Sequence, residues 1–359
     1  MGYPLGQRLR ELPGPLLLTG HTGFKGTWMA FLLEHLNVPV VGYSLPPEKD
    51  SLFDRAGRTS AIPEVFADVR DYKTLEAFID EHKPSTIIHM AAQPLVLKSY
   101  ENPRETFDIN IMGTVNVLDI AFKQEYVKAI TIVTTDKVYR NDNSDRAFVE
   151  SDPLEGKDPY SASKVGTEAV VSAWQQIAKV SGGPFVTSVR AGNVIGGGDF
   201  AADRLIPDLV RGLIFGNVVE IRNPKSTRPW QHVLDPLIGY LRLLEEQIDF
   251  KGEGHLNFGP NVQKITVETA ALRIQGILRT VGPLEVRFSR DTENDLESRS
   301  LSLNSNLASK TLNWFPICPS EVALQMTANW WVKVLKNERN VSDAINDDLV
   351  YHLERIIEK

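Results

Sequence analysis

The amino-acid sequence predicts an α/β fold in which helices cover both faces of a doubly wound parallel sheet. Two observations lead to this prediction: short β-branched apolar runs alternate with longer helical patterns, and a glycine-rich turn directly follows the first run. Strands are predicted at 15–20, 38–43, 64–68, 86–91, 130–135 and 185–191. Helices are predicted between them at 23–36, 71–82, 103–124 and 160–180. Regular alternation of this kind is typical of parallel strands.

The alternation weakens after Ala191, and this change predicts a boundary between two units. Residues 1–190 are expected to form the sheet domain, and residues 191–359 mainly a smaller substrate-binding lobe. One later strand-like segment, 254–259, is expected to return to the sheet.

Composition excludes several classes of protein. The 359 residues include 39 Lys and Arg against 46 Asp and Glu, a formal net charge of −7 without a basic block, so we expect no nucleic-acid partner. No apolar run approaches the roughly 20 residues that cross a bilayer, and the first residues lack a secretory pattern, so we expect a cytoplasmic protein with no membrane contact. The single cysteine, Cys318, is expected to be structural, and no metal site is expected.

The stretch "TGHTGFKG" (19–26) places Gly20, Gly23 and Gly26 between the first strand and the first helix. Without side chains, the backbone approaches a ligand closely, and the amides at a helix N-terminus favour an anion. This predicts a diphosphate cradle in a Rossmann-type fold. The spacing G-x-x-G-x-x-G differs from the G-x-G-x-x-G fingerprint, and glycines that serve only the turn and close packing remain the alternative.

The end of the second strand leaves the choice of dinucleotide open. A dinucleotide fold expects an acidic residue there to hold the adenosine ribose, but this strand ends at Ser44. A serine repels a 2′-phosphate less than a carboxylate does, so this position alone does not decide between NAD and NADP.

The stretch "DPYSASK" places Tyr160 and Lys164 four residues apart at the start of a helix, so both project from one face. A nearby ammonium is expected to lower the pKa of the phenol towards the working range of a proton acceptor. The alternative, two residues of a solvated helix face, is weakened by their position after five strands of a sheet with a glycine loop.

The chain resembles the extended short-chain dehydrogenase/reductase family, in the branch that acts on nucleotide-activated sugars. The resemblance covers nearly the whole chain and depends on "TGHTGFKG", "ADVRD" (67–71), "HMAAQPLV" (89–96), "NIMGTVNVLD" (110–119), "VTTDKVY" (133–139) and "YSASK". Within the branch, "AGNVIGGGDF", "DRLIPD" and "RPWQHVLDPL" are most similar to the members that dehydrate CDP-glucose.

The resemblance implies a lyase with tightly bound, recycled NAD that converts CDP-glucose to CDP-4-keto-6-deoxyglucose for deoxysugar biosynthesis. It implies cofactor contacts at Gly20, Thr22, Gly23, Phe24, Lys25, Gly26, Asp68, Val69, Ala91, Ala92, Gln93, Asn110, Tyr160 and Lys164. For Asp68, an N-cap of the following helix is the alternative. His89 is expected to be a core histidine.

The same resemblance assigns the reaction to "TTDK". Thr135 would bond the C4 oxygen of the sugar beside Tyr160, while Asp136 and Lys137 would be the acid and base of an elimination. A surface loop with an adjacent charge pair is the alternative. The resemblance also implies a homodimer built from the helices at 103–124 and 160–180.

The smaller lobe is expected to bind the CDP-sugar. Candidate substrate contacts are Asn193, Arg204, Arg228 and His232. For either arginine, a surface salt bridge is the alternative, and Trp230 is expected to pack rather than stack on a base. Another nucleotide-sugar 4,6-dehydratase or 4-epimerase, and a silent dinucleotide-binding regulator, remain alternative functions.

Overall fold

A computed structural model describes residues 5–141, 146–201, 203–248, 254–260, 265–289 and 301–357. The strands, in chain order, are β1 (Leu16–Thr19), β2 (Val40–Ser44), β3 (Glu64–Phe66), β4 (Thr86–His89), β5 (Ala129–Val133), β6 (Phe185–Ala191), β7 (Val194–Ile195), β8 (Val219–Ile221), β9 (Thr227–Arg228), β10 (Gln231–His232), β11 (His255–Phe258), β12 (Ile265–Thr266) and β13 (Val286–Phe288).

The α-helices are α1 (Gln7–Arg10), α2 (Phe24–His35), α3 (Leu52–Arg55), α4 (Tyr72–His82), α5 (Val96–Glu101), α6 (Pro103–Phe107), α7 (Gly113–Phe122), α8 (Pro159–Ser181), α9 (Leu205–Phe215), α10 (Leu234–Gln247), α11 (Val267–Leu278), α12 (Asn306–Leu312), α13 (Ser320–Leu335) and α14 (Val341–Ile357). A π-helical segment, Asp108–Met112, joins α6 to α7, and a 3₁₀ turn spans Asp136–Val138. None of the described helices combines the length and apolar character that a bilayer crossing requires.

The central sheet confirms the predicted fold class. Its seven strands are all parallel and lie in the order β11-β6-β5-β4-β1-β2-β3. The strand order reverses between β1 and β4, where Thr19 pairs with His89. A reversal of this kind opens a crevice at the carboxyl ends of the two strands, and this is where ligands bind in such sheets.

The second half of the chain also contributes to this sheet. β11 pairs with β6, with His255 opposite Ser188, so the segment expected at 254–259 does return to the sheet. The apolar core on one face continues from α2 through α10 to α13 and α14, and it includes the buried Trp28 and Trp331. The opposite face packs against α4, α7 and α8.

The predicted strands and helices up to residue 191 are present, several with ends that differ by one or two residues. The helix expected at 103–124 is interrupted by the π-helical segment, whose Asn110 carbonyl oxygen accepts hydrogen bonds from the Thr114 and Thr167 hydroxyls. The strand expected at 38–43 begins at Val40, because the Pro39 carbonyl accepts the Leu16 amide and starts the ladder there. The short helix α5 was not predicted.

Candidate active site

The glycine loop lies at the strand reversal. Gly20 has a φ of 73°, and a Cβ there would lie 2.7 Å from the Ala91 nitrogen, while a Cβ at Gly26 would overlap the Gly20 carbonyl oxygen. Gly20 therefore requires glycine for both conformation and close approach, and Gly26 requires it for close approach alone. Helix α2 starts after Gly23 without a side-chain cap, which leaves its first amides directed at the crevice.

The sequence predicts that the glycine loop binds a diphosphate, and the geometry of the loop is suited to this ligand. The amides at the N-terminus of α2 carry the positive end of the helix dipole, and the loop leaves them uncovered by side chains. The chain therefore has the donor set that a dinucleotide diphosphate needs.

At the end of β2, two hydroxyl groups occupy the position where a ribose contact is expected. The Oγ1 atom of Thr22 lies 2.7 Å from the Oγ atom of Ser44 and donates to the Leu45 carbonyl oxygen. Next to them, His21 is buried, and its Nε2 atom lies 2.8 Å from a carboxylate oxygen of Glu64. The Glu64 carboxylate is thus paired with His21.

The side chain of Asp68 is held by Arg70 through several bonds, with Arg70 Nη2 2.6 Å from Asp68 Oδ2, and this pair lowers the pKa of Asp68. The N-cap alternative for Asp68 is wrong, because Asp71 caps α4 by accepting the Thr74 amide. Val69 packs its side chain towards Gly113, so only its backbone faces away from α7.

The loop after β4 is bound to the helices behind it by Asn110. The Asn110 side chain accepts the Gln93 amide at 2.8 Å and donates to Ser163 at 2.8 Å. The Gln93 side chain is buried and bonds Thr106 at 3.0 Å. Ala91 lies directly beside Gly20. Asn110 thus links the cofactor loop to α8 close to Tyr160. His89 is buried, as expected, with Nδ1 2.7 Å from Thr19.

Tyr160 occupies the first turn of α8 because the preceding sequence starts the helix there. Asp158 and Ser161 form a capping box, and Pro159 occupies the first helical position. The side chains of Tyr160 and Lys164 are both buried, and Lys164 Nζ donates to the Val133 carbonyl at 3.1 Å.

The expected effect of Lys164 on the phenol is wrong. Burial raises the pKa of Tyr160 to about 12, opposed mainly by a hydrogen bond with Thr135. Burial lowers the pKa of Lys164 to about 8. For the pKa of Tyr160, desolvation outweighs any effect of Lys164, since the Lys164 ammonium is directed at the Val133 carbonyl.

The "TTDK" segment lies beside Tyr160 at the end of β5. Thr135 donates to Asp136 at 3.1 Å, and Lys137 Nζ lies 3.5 Å from the same carboxylate. The Asp136 side chain is 3% exposed, so it is not part of a solvated surface loop. Thr135 and Asp136 therefore lie close to the phenol, and the amine of Lys137 adjoins Asp136.

Lys25 and Tyr240 lie close together in this cluster, although they are far apart in the sequence. Lys25, in the glycine loop, lies 5.8 Å above the ring of Tyr240, and the charges acting on it include Asp136 and Lys164. Burial lowers the pKa of Lys25 to about 8. Tyr240 is buried, and its hydroxyl has no hydrogen-bond partner among the described residues. Tyr240 comes from α10, and sequence analysis missed it because no motif marks it.

The four candidate substrate contacts separate into two groups. Asn193 accepts a hydrogen bond from Lys137 Nζ at 3.3 Å, and the charge of Arg204 acts on Tyr160. Arg204 is also paired with Asp199 at 2.9 Å. Arg228 lies on β9, which pairs with β12 in a separate sheet.

His232 is fully buried and faces the core instead of the crevice. Its ring stacks on His352 of α14 with 4.6 Å between centroids. Trp230 is buried, as expected for a packing residue.

Comparisons with known proteins agree with this geometry. The model of the "NAD dependent epimerase/dehydratase family" matches residues 16–259. The CDP-glucose 4,6-dehydratase of Salmonella typhimurium is 38% identical over 349 residues, covering 92% of this chain and 96% of that protein. The dTDP-glucose 4,6-dehydratase of Haemophilus influenzae is 26% identical, covering 88% of this chain and 97% of that protein.

Solved structures share the fold. A UDP-glucose 4-epimerase of Thermotoga maritima with UDP-glucose superposes with a TM-score of 0.74 at 21% identity, covering 89% of this chain and 99% of that one. A dTDP-glucose 4,6-dehydratase of Streptomyces venezuelae with NAD bound gives a TM-score of 0.72 at 23% identity, covering 89% and 97%.

Proposed function

We propose, from the chain's membership of the NAD dependent epimerase/dehydratase family, that it removes water from CDP-glucose to give CDP-4-keto-6-deoxyglucose. Dehydration rather than epimerisation is favoured by one observation. The buried Asp136 carboxylate lies 3.5 Å from Lys137 Nζ and bonds Thr135 next to Tyr160. Epimerisation at C4 has no need of this additional acid and base.

The cofactor would be held at the glycine loop, at Asp68, at the loop after β4 and by Lys164. NAD, when bound, supplies a hydride acceptor for C4, a hydride donor for C6 and, in its oxidised form, a positive charge on the nicotinamide. Gly20 and Gly26 let the backbone of the loop pack closely on itself and on Ala91, and the amides at the start of α2, which no side chain caps, would bind the diphosphate.

Tyr160 accepts the proton of the C4 hydroxyl, and Thr135 orients that oxygen. Burial disfavours the phenolate, as the raised pKa of Tyr160 records, so Tyr160 needs positive charge nearby at the moment of proton transfer. The guanidinium of Arg204 provides a permanent positive charge that acts on Tyr160 and lowers its pKa.

Asp136 protonates the departing C6 hydroxyl, and Lys137 removes the C5 proton and later returns it. Thr135 contacts both ends of the proton path, because it bonds Asp136 at 3.1 Å and also bonds Tyr160. A proton taken by Tyr160 therefore has a route back to Asp136 through one hydroxyl, which closes the cycle for the next turnover.

The nucleotide half of the substrate would bind in the lobe formed mainly by residues 191–359. Asn193 and Arg204 are favoured as contacts, because they lie within reach of Lys137 and Tyr160. Arg228 is retained as a diphosphate contact, whereas the burial of His232 argues against a direct contact.

The proposal is tested by incubating the protein with NAD and, separately, with CDP-, UDP-, dTDP- and GDP-glucose. We expect a 4-keto-6-deoxy product, visible by its absorbance in alkali, with CDP-glucose above all others. A 4-epimer without a keto product would show the epimerase alternative, and reaction with another base would change the assigned nucleotide. Binding of NAD without turnover of any sugar would favour the regulator.

The acid role of Asp136 has its own test. Asp136→Asn keeps the size of the side chain but removes the transferable proton, so C4 oxidation should proceed while elimination falls by about 10²- to 10⁴-fold. The reduced cofactor should then accumulate in a single turnover and be seen by its absorbance. A folded Asp136→Asn protein that dehydrates CDP-glucose at the normal rate would exclude this role.

We also propose a cytoplasmic homodimer formed by the α6–α7 region and α8. Apolar side chains are exposed on these elements, among them Phe107, Met112 and Ile177. Such a patch favours burial against a second copy. Sedimentation at micromolar concentration should give a dimer mass, and a monomer mass would contradict the proposal.

A further inference from the structure

Behind the catalytic segment lies a buried ion pair to which sequence analysis assigned no role. Glu168 of α8 and Arg190 of β6 both have side chains that are 2% exposed, and they form two bonds at 2.9 and 2.8 Å. Removing two charges from water is costly unless every polar atom finds a partner.

The partners of this ion pair meet that condition. The Glu168 carboxylate also accepts the Ser188 hydroxyl at 2.7 Å and lies 3.0 Å from the ring of His255. These partners hold the pKa of Glu168 well below its usual range, so the carboxylate keeps its charge. Because its partners fix its position, the Glu168–Arg190 ion pair can hold other groups that bond to it, and we call this pair the anchor.

Both ends of the catalytic segment are attached to this anchor. Thr134, directly before Thr135, donates its hydroxyl to Glu168 at 2.5 Å. Tyr139, directly after the 3₁₀ turn, accepts from Arg190 Nη1 at 2.9 Å and donates to Asn257 at 2.7 Å. The turn with Asp136 therefore lies between two fixed points.

The same anchor sets the position of the segment relative to α8. Tyr160, Lys164 and Glu168 are spaced four residues apart and share one face of the helix. Lys164 bonds the carbonyl of Val133, just before Thr134. One helix face thus carries the phenol and also binds the segment that must meet the phenol.

We propose that Glu168 and Arg190 are positioning residues that hold Thr135, Asp136 and Lys137 against Tyr160 through their bonds to Thr134 and Tyr139. The effect on turnover rests on the proposed function, whereas the effect on the rigidity of the segment does not. A misplacement of about 1 Å in an active site costs on the order of 10²-fold in rate.

The experiment compares two hydrogen bonds to the same carboxylate. Thr134→Val removes the bond that holds the catalytic segment, and Ser188→Ala removes a bond of similar length from β6. Both leave the ion pair itself intact, so folding should survive. We expect Thr134→Val to lower kcat about 10- to 100-fold with KM for CDP-glucose unchanged, Thr134→Ser to restore it, and Ser188→Ala to stay within about twofold.

Hydrogen exchange of the peptide spanning 134–139 is measured in parallel, without substrate. Faster exchange in Thr134→Val and not in Ser188→Ala supports the anchor, even if the wild-type protein turns over no CDP-glucose, in which case only the proposed function falls. Equal exchange in both variants overturns the anchor, and so do equal losses of kcat.

Discussion

Two clusters of ionisable side chains, one partly exposed and one fully buried, differ in what their surroundings allow them to do. The catalytic cluster faces the crevice at the strand reversal and consists of Lys25, Asp136, Lys137, Tyr160 and Lys164. The histidine cluster is sealed between α10, α13 and α14 and consists of His232, Asp235, Cys318, Asp348 and His352. Both bring together residues that are far apart in the chain.

The histidine cluster has few groups that stabilise charge. His352 Nε2 lies 3.4 Å from the Cys318 sulfur, and His232 Nε2 lies 3.4 Å from Asp348 without a well-formed hydrogen bond. Burial lowers the pKa of both histidines to about 3 and raises the pKa of Asp348 to about 7. The two histidines are therefore neutral near pH 7, and Asp348 becomes neutral as the pH falls below about 7, as expected of a packed core.

In the catalytic cluster, burial acts on groups that also meet opposite charge. The charge of Asp136 favours the ammonium of Lys25, and Lys137 approaches Asp136 at 3.5 Å. Lysines with a pKa of about 8 titrate close to neutral pH and are suited to chemistry. The comparison shows that a density of titratable groups does not by itself mark a site. The catalytic cluster differs from the histidine cluster because it opens to the crevice and because its lysines have a carboxylate of opposite charge nearby.

The largest expected effect tests the catalytic side of the comparison. Tyr160→Phe removes the only group assigned to accept the C4 proton, so kcat should fall by about 10²- to 10⁴-fold or more, while binding of CDP-glucose persists. Steady-state rates and calorimetric binding measure the two quantities. Near-normal turnover by a folded variant would contradict the assigned role and leave Tyr160 as a packing residue.

Much of the catalytic cluster was predictable because its signals are local. The glycine loop and the "TTDK" segment each lie within a few residues of a strand end, and Tyr160 and Lys164 lie in the first turns of α8. In a parallel sheet, strand ends from distant parts of the chain meet at one edge, so local motifs predict a common site.

The remaining features depend on contacts between distant elements. Tyr240 meets Lys25 only because α10 packs against α2, and no spacing rule connects residues so far apart. His232 was expected at the substrate but is turned into the core, because α14 places His352 against it. The pKa of Tyr160 depends on burial, and the degree of burial is a property of the folded chain.

A second, smaller effect concerns the charge of Lys25. Its ammonium is present below a pH of about 8 and is lost as the pH rises through that value. If Lys25 contributes to cofactor binding, NAD affinity of the wild-type protein should weaken about tenfold between pH 7 and 9, since a hydrogen bond to a charged group contributes about 1.5–3 kcal/mol. Lys25→Met should bind NAD weakly, with only the smaller pH dependence that Lys164, whose pKa is also about 8, leaves in this range.

Lys25→Arg is the matched control, because a guanidinium stays charged up to pH 9. In this variant, the affinity measured by calorimetry should fall less than in the wild-type protein across the same range, because Lys164 is the one of the two lysines that still titrates there. A wild-type affinity that does not change with pH would show that Lys25 serves Asp136 or the packing of Tyr240 rather than the cofactor.

The third prediction concerns the histidine cluster. Changes there should leave activity unaltered but should change the pH dependence of the unfolding free energy. A histidine whose folded pKa is lowered contributes stability above its unfolded value of 6.5, and this stability is lost as the pH falls. Asp348 acts in the opposite direction, because its raised pKa makes the folded protein bind a proton below a pH of about 7. Two histidines and one aspartic acid leave a net excess of protons on the unfolded chain that rises from about a quarter of a proton at pH 6.5 to about one proton at pH 5.

From this cluster, the wild-type protein should therefore lose unfolding free energy on acidification, with a slope that approaches about 1.4 kcal/mol per pH unit near pH 5. His352→Gln removes one titrating histidine and should flatten this part of the curve, whereas Asp348→Asn removes the opposing proton and should make it about twice as steep. Urea unfolding at pH 6.5 and 5 measures the slopes, and turnover at pH 7 should be unchanged in both variants. Parallel slopes in all three proteins would mean that the histidines are charged in the folded state. The contrast with the catalytic cluster would then no longer hold, because both clusters would keep their charge when buried.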